Sequence, residues 1–314
     1  MPVHAFVFPG QGSQYVGMGR DLAAAFAGAR EVFEEVDDVL QQKLSHIMFE
    51  GPDETLTLTQ NAQPALMAVS LAVLRVLEQE GGIVLRHRAV LVAGHSLGEY
   101  SALAAAGSLS VADCARLLRR RGEAMQIAVR PGAGAMAALL GTELEAARAI
   151  CEEAAQGQVV EPANDNGGGQ VVISGDRDAV ERAITVAKAQ GVRRAVLLPV
   201  SAPFHCALMA PAAGVMQDAL AEVDVHEPCV PLVANVSAAK ATDPADIRAL
   251  LVQQVTATVR WRESVLACVA MGVDSFVELG AGKVLSGLVR RIAPDARGSF
   301  AGTPGEIEAL LKTL

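Results

Sequence analysis

The sequence predicts an α/β protein: a mainly parallel sheet covered by helices on both faces, interrupted by a smaller inserted βαββαβ unit. Three observations carry this. Val3–Phe8 and Ala89–Ala93 are short, almost wholly apolar runs, as expected of strands buried on both faces. Strand-like runs alternate with segments of helical periodicity along most of the chain, which is the order of a parallel sheet with crossover helices. At Arg130-Pro131-Gly132-Ala133-Gly134 the texture changes, and about seventy residues then read strand, helix, strand, strand, helix, strand.

Val3–Phe8 is the first strand and ends in the glycine-rich loop Pro9-Gly10-Gln11-Gly12-Ser13-Gln14. A dinucleotide fingerprint is excluded there, because Tyr15 follows where a third glycine belongs and no ribose-binding acid comes at the expected distance. Gly280-Ala281-Gly282-Lys283 is likewise no phosphate loop, since Val277 and Val284 stand where Gly and Ser/Thr are needed. Asp21–Leu40 and Ala62–Gln79 have helical periodicity, with Pro64 tolerable near a helix start. Ala89–Ala93 then runs into Gly94-x-Ser96-x-Gly98 and the helix formers Glu99–Ala106. Strand, glycine-flanked serine and helix together form a nucleophile elbow, a sharp turn that lifts one hydroxyl clear of the sheet. The helix start behind Ser96 adds positive potential where an oxyanion would form. An ordinary strand-to-helix turn is the alternative.

Val111–Val129 is the next helix. At about 100° per residue, and with Leu117 at the origin, Arg121 falls at about 40°, Cys114 at about 60°, Met125 at about 80° and Leu118 at about 100°. Arg121 therefore lies inside the apolar stripe, whereas Arg119 and Arg120 point away and read as a solvated face. A guanidinium on an apolar face near an activated serine suits bidentate capture of a carboxylate, with a structural ion pair as the alternative. In the insertion, strands are expected at Ala135–Leu140, Val159–Pro162, Gln170–Ser174 and Arg193–Leu198, and helices at Glu143–Ala155 and Arg177–Gln190. Asn164–Gly169 is its hairpin loop. Helices at Pro211–Val223, Asp246–Val255 and Trp261–Met271, strands at Val230–Val236 and Ser275–Leu279, and a closing helix Val284–Ile292 complete the chain.

With 51% hydrophobic and 19% charged residues, 314 positions describe a compact folded protein rather than a disordered one. A formal net charge of -9 makes nucleic acid an unsuitable partner. No run approaches the roughly 18 apolar residues of a membrane span. MPVHAFVFPG enters an apolar strand without a basic region or cleavage site, so no signal peptide is expected. The five cysteines, Cys114, Cys151, Cys206, Cys229 and Cys268, show no CxxC spacing, which points to reduced thiols in the cytoplasm and against a structural metal site.

A serine needs a base to become a nucleophile at neutral pH. Of six histidines, His4, His46, His87 and His226 lie in strand-start, polar or linker settings. His95 adjoins Ser96 in a tight turn and projects elsewhere. His205 follows a strand in a Pro-containing loop, where catalytic groups of α/β sheets gather, and is the candidate base; a structural histidine is the alternative. No acidic residue between Ser96 and His205 announces itself as the third member of a triad.

Six stretches, FPGQGSQYVGMG, GHSLGEYSAL around Ser96, RRRGEAMQ around Arg121, VVISG in the insertion, PFHCALM around His205 and ELGAGKVLSGL, together resemble the malonyl-CoA:acyl-carrier-protein transacylases of fatty-acid synthesis, in order and over essentially the whole chain. The resemblance implies an α/β-hydrolase-like domain from residues 1–129 and 199–314, with a ferredoxin-like insertion at 130–198. It implies that Ser96 carries the acyl group, that His205 is the base and that Arg121 binds the malonyl carboxylate. The backbone N–H groups of Gln11 and Leu97 would form the oxyanion hole. A main-chain carbonyl at Gln254, placed by its distance from Trp261, would orient His205, with a glutamine held only by packing as the alternative. Met125 and Phe204 would line the acyl site, and Phe204 and Leu97 resemble malonyl-selective rather than methylmalonyl-selective members.

Two departures are local: Thr256-Ala257-Thr258 precedes Val259-Arg260-Trp261 where Asn-Pro is usual, and Gly167-Gly168 replaces Ser-Pro. The implied partners are malonyl-CoA, as substrate rather than cofactor, and an acyl carrier protein. Because that carrier and this chain are both acidic, docking needs a basic patch, for which Lys188, Arg193, Arg194, Lys283, Arg290 and Arg291 are the candidates, or else merely solvated cations. A serine hydrolase on the same elbow, a scaffold that keeps the fold without turnover, and service to a polyketide pathway remain as rivals.

Overall fold

In the computed structural model, which describes residues 2–314, the chain opens with β1 (His4–Phe8). Six helices follow: α1 (Arg20–Ala25), α2 (Ala27–Leu40), α3 (Leu44–Glu50), α4 (Asp53–Thr57), α5 (Thr59–Gly81) and α6 (Leu85–Arg88). β2 (Ala89–Gly94), α7 (Gly98–Ala105) and α8 (Val111–Ala128) make the elbow region. The stretch that follows comprises β3 (Gly134–Leu140), α9 (Leu144–Ala155), β4 (Val160–Asp165), β5 (Gln170–Asp176), α10 (Arg177–Ala189) and β6 (Arg194–Leu197). Next come α11 (Ala210–Ala221), β7 (Leu232–Val233), β8 (Lys240–Ala241), α12 (Pro244–Gln254) and α13 (Trp261–Ala270). The chain finishes with β9 (Ser275–Leu279), α14 (Val284–Ile292), β10 (Arg297–Ala301) and α15 (Pro304–Leu311).

The strands form two sheets. One has the order β10-β9-β1-β2-β7-β8, parallel throughout except for β8. The other has the order β4-β5-β3-β6 and is antiparallel. Successive side chains of a strand point to opposite faces, so β1 feeds two cores at once. Ala5 and Val7, with Leu91 and Ala93 of β2, pack against Trp261, Leu285 and Leu288 on one side. Phe6, Phe8 and Val92 pack on the other side into the larger core made with α2, α5, α7 and α8. Both layers must be apolar, which is why these strands carry no alternation. The antiparallel sheet buries Ala137, Leu139 and Ile173 beneath α9 and α10. Its opposite face sets Met136, Ala138 and Val172 against the larger core. That face roofs the cleft described below.

Several expectations are corrected. Asp21–Leu40 is two helices, because Phe26 is extended (φ -127, ψ 125) between them. The Val230–Val236 run contributes only Leu232–Val233 to the sheet, after which the chain turns toward the elbow. Asn164 and Asp165 belong to β4, leaving Asn166–Gly169 as the hairpin. Val284–Ile292 does not close the chain: β10 pairs with β9 at the sheet edge, and its sequence RGSFA, only partly buried, gives no apolar run to read. Arg119 is half-buried and hydrogen-bonds Gln42, so it is not part of a solvated face; Arg120 pairs with Glu222 at 2.9 Å. Among the described residues no helix is long and apolar enough to cross a membrane.

The elbow is fixed by two close backbone approaches. A Cβ on Gly94 would lie 1.9 Å from the Gly98 carbonyl oxygen, and one on Gly98 would lie 2.2 Å from that of Phe8. Backbone cannot yield as a side chain can. Gly98→Ala is therefore expected to cost at least about 1–3 kcal/mol of stability, whereas Gly214→Ala, in α11 with nothing within 4 Å of its Cβ, should stabilise by up to about 1 kcal/mol. Denaturant midpoints of the two variants check both signs.

Candidate active site

Ser96 sits between the carboxyl end of β2 and the start of α7, where parallel α/β sheets present their functional groups. It has φ 53, and His205, on the loop after the insertion, has φ 57. Both lie in the left-handed region that non-glycine residues avoid, a cost that marks functional positions. Their side chains meet: Ser96 Oγ is 2.7 Å from His205 Nε2. Ser96 is held from behind as well, its N–H donating to Asn235 Oδ1 at 2.8 Å while Gln254 Nε2 donates to its carbonyl at 2.9 Å.

His205 is buried, and its Nδ1 lies 2.8 Å from the Gln254 main-chain oxygen. A carbonyl only accepts, so Nδ1 carries the proton and Nε2 is left as an acceptor for the serine hydroxyl. Burial, reinforced by the nearby Arg121 charge, pushes the imidazole pKa down to about 3. The ring is therefore neutral at physiological pH, the form in which a base is ready to accept a proton.

Arg121 reaches the same point from α8. It is 1% exposed, and Nη2 donates to Ser96 Oγ at 3.1 Å and to Gln254 Oε1 at 2.8 Å. Nη1 donates to Gln63 Oε1 at 2.7 Å, and the guanidinium lies 5.7 Å from the Tyr100 ring centre. No carboxylate forms an ion pair with it among the described residues. The structural ion pair weighed from sequence is thus absent among the described residues, and Arg121 lines the cleft with uncharged partners.

These groups face a cleft of about 640 Å³. Gln11, Leu97, Met125 and Phe204 line it together with Ser96, Arg121 and His205. The Gln11 side chain is anchored to Thr59 Oγ1 at 3.0 Å, and the backbone N–H groups of Gln11 and Leu97 have no internal acceptor among the described residues. His95 is engaged elsewhere, with Nε2 2.9 Å from Asn166 Oδ1 and its ring 5.8 Å from that of Trp261, so it ties the elbow to the hairpin of the second sheet. The six candidate docking cations are all exposed. Lys283 is the N-cap residue of α14 and Arg290 and Arg291 lie in its last turn, while Lys188, Arg193 and Arg194 lie on or beside α10 and β6. The cleft lining includes Leu285 and Leu288 of α14 and Leu198 just after β6, but none of these six cations. Among the described residues no group of three or more His, Cys, Asp or Glu is placed to hold a metal ion.

Four site residues have no signal in the sequence reading. Gln63 is one of many buried positions on α5, and Asn235 follows a two-residue strand. Glu99 reads as a helix former behind the serine. The Gln254 side chain, as distinct from its carbonyl, bridges Arg121, Ser96 and Glu99. Gln63, Asn235 and Gln254 are brought in by long-range packing, and Glu99, local to the elbow, acquires its partners Gln254 and Asn235 the same way.

Residues 5–295 match the acyl transferase domain family. The chain is 46% identical over 311 residues to a malonyl CoA-acyl carrier protein transacylase of Bacillus subtilis, covering 99% of this chain and 96% of that protein. It superposes with a TM-score of 0.97 on an acyl-carrier-protein-S-malonyltransferase from Bartonella henselae, 57% identical with 99% of each chain covered. A malonyl-transacylase in complex with the holo acyl-carrier protein of a type II PKS is 42% identical, with a TM-score of 0.96 over 99% of this chain and all of that one. The chain therefore belongs to the acyl transferase family, in the branch of the malonyl CoA-acyl carrier protein transacylases.

Proposed function

We propose that this protein transfers the malonyl group of malonyl-CoA to the phosphopantetheine thiol of an acyl carrier protein through a malonyl-serine intermediate on Ser96. The observation that carries this is the meeting of Ser96, His205 and Arg121 around one hydroxyl. His205 Nε2 takes the hydroxyl proton as Ser96 Oγ attacks the thioester carbonyl. The N–H groups of Gln11 and Leu97 receive the oxyanion, and the tetrahedral adduct collapses with departure of CoA thiol, which takes the proton back from His205. In the second half the carrier thiol gives its proton to His205 and attacks the acyl-serine, and Ser96 regains its proton as it leaves. Arg121 holds the distal carboxylate bidentately. Met125 and Phe204 shape the acyl site, the Phe204 ring crowding a branched chain.

A hydroxyl, an imidazole, two N–H groups and a guanidinium are enough for this chemistry, and the CoA ester enters as substrate. The parallel-sheet body, residues 1–129 and 199–314, is best described as α/β-hydrolase-like, and residues 130–198 as a ferredoxin-like insertion; the strand order β4-β5-β3-β6 supports the latter. The exposed cations Lys188, Arg193, Arg194, Lys283, Arg290 and Arg291 offer an acidic carrier the local positive surface that the net charge of -9 denies it overall. Fatty-acid synthesis in the cytoplasm is the pathway proposed. Service to a polyketide carrier is the second reading, favoured by the likeness to the transacylase bound to a PKS carrier.

Intact-mass measurement tests the core of this. Malonyl-CoA alone should leave one malonyl group on wild-type protein and none on Ser96→Ala, and holo carrier protein should then discharge it; release to water without carrier would identify a hydrolase. Arg121→Ala should reduce malonyl transfer relative to acetyl by about 2–5 kcal/mol, roughly 30-fold or more, read as the ratio of kcat/KM values. Because the His205 pKa is pushed down to about 3, modification of Ser96 by a neutral fluorophosphonate should vary less than about twofold between pH 5.5 and 8, whereas a histidine titrating near its usual 6.5 would lose most of its rate at the acid end.

A further inference from the structure

Arg121 is a buried cation whose direct partners are all uncharged: Gln63, Gln254, the Ser96 hydroxyl and the Tyr100 ring. A cation taken out of water without a counter-charge is costly. The carboxylate acting on it is Glu99 of α7, itself 0% exposed. The two do not touch; one amide lies between them. Gln254 Oε1 accepts from Arg121 Nη2 at 2.8 Å, and Gln254 Nε2 donates to Glu99 Oε2 at 2.7 Å. The orientation of that amide is forced, since reversing it would set its NH2 against the guanidinium donors and its oxygen against Glu99 and the Ser96 carbonyl. Glu99 Oε2 also accepts the Asn235 N–H at 3.2 Å, whereas Oε1 is buried with no partner. One carboxyl oxygen is thus equipped to hold charge, and the other is free to carry a proton.

We propose that Glu99 is the internal counter-charge of Arg121, coupled to it through Gln254, and that a substrate carboxylate seated on Arg121 drives Glu99 to take up a proton from solvent at Oε1. Glu99 is in these terms a positioning and specificity residue, and its role rests on Arg121 being the partner of the malonyl carboxylate as proposed above. The surroundings leave Glu99 as the group able to respond near neutrality. Burial holds Tyr100, on the same helix, and Cys114, on α8, above their ordinary ranges, and both stay neutral. Burial holds His95 and His205, across the site, below theirs. Glu99 is pushed up to about 7 by burial, against the opposing pull of Gln254, the Asn235 N–H and Arg121. The sign follows: a diacid adds negative charge beside Glu99 and neutralises the cation that favoured its ionised form. The bound state holds more protons, so selectivity for malonyl falls as pH rises through neutrality. An acetyl group has no distal carboxylate and shows no such loss.

The test is the ratio of kcat/KM for malonyl-CoA to that for acetyl-CoA, from about pH 6 to about pH 9, in which titration of the shared CoA phosphates cancels. In the wild type the ratio should fall with pH, by up to about tenfold for each unit by which binding displaces the carboxyl pKa; in Glu99→Gln it should be flat. A pH-independent wild-type ratio, or a slope that survives in Glu99→Gln, overturns the role of Glu99 and leaves that of Arg121 standing. Retention of the malonyl preference in Arg121→Ala overturns the carboxylate-binding role itself. If Glu99→Gln does not fold, calorimetry on Ser96→Ala in buffers of different ionisation enthalpy reads the proton directly. Uptake with malonyl-CoA and none with acetyl-CoA is expected, and equal uptake with both, or none with either, refutes the proposal.

Discussion

The site is organised by one fully buried guanidinium with no salt bridge among the described residues. Burying Arg121 requires acceptors, and the fold brings them from far along the chain: Gln63 from α5, Gln254 from the end of α12 and the hydroxyl of Ser96. Gln254 is then committed at both ends. Its side chain answers the arginine, and its main-chain oxygen fixes the tautomer of His205. The cation and the base are therefore registered to each other through a single residue, and both to the serine.

The backbone is strained to the same end. Ser96 and His205 sit on different loops with left-handed φ values of 53 and 57, and such conformations persist only where the surroundings over-determine them. Asn235 supplies part of that support, accepting from the Ser96 N–H and donating from its Nδ2 to the Gly94 carbonyl at 2.7 Å, so the chain leaving β7 braces the elbow. The second sheet roofs the cleft, and polar ties hold it to the elbow and to the chain before α13: His95 with Asn166, and the Val259 backbone with Ala163 and Asp165.

A carbonyl rather than a carboxylate holds His205 Nδ1, and on the proposed mechanism, in which His205 is the base, the neighbouring arginine supplies a physical reason. An ionised acid behind His205 would lie within reach of Arg121 in a low-dielectric pocket and would compete with an incoming carboxylate for it. A neutral acceptor leaves the guanidinium unpaired and the imidazole weakly basic, in keeping with its lowered pKa. On the proposed mechanism the site forgoes a strong base in order to keep a cation with no carboxylate in direct contact.

Local patterns in the sequence determined the pieces. The buried strands could be read because both faces of β1 and β2 are covered, and the elbow because strand, Gly-x-Ser-x-Gly and helix are contiguous. The inward turn of Arg121 followed from helical geometry, and the order of the inserted unit from its runs. The roles assigned to Gln11, Leu97 and Gln254 came from family resemblance, since a backbone N–H or C=O leaves no mark in a side-chain pattern. Tertiary structure alone decided the partnerships. Gln63 lies 58 residues from Arg121, and Gln254 lies 133; no local period relates positions so far apart, and only the packing of α5, α8 and α12 around one buried charge selects them. The edge strand β10 escaped notice for the complementary reason: a half-exposed strand is held by its ladder to β9 rather than by apolar burial, and the ladder is written in the backbone.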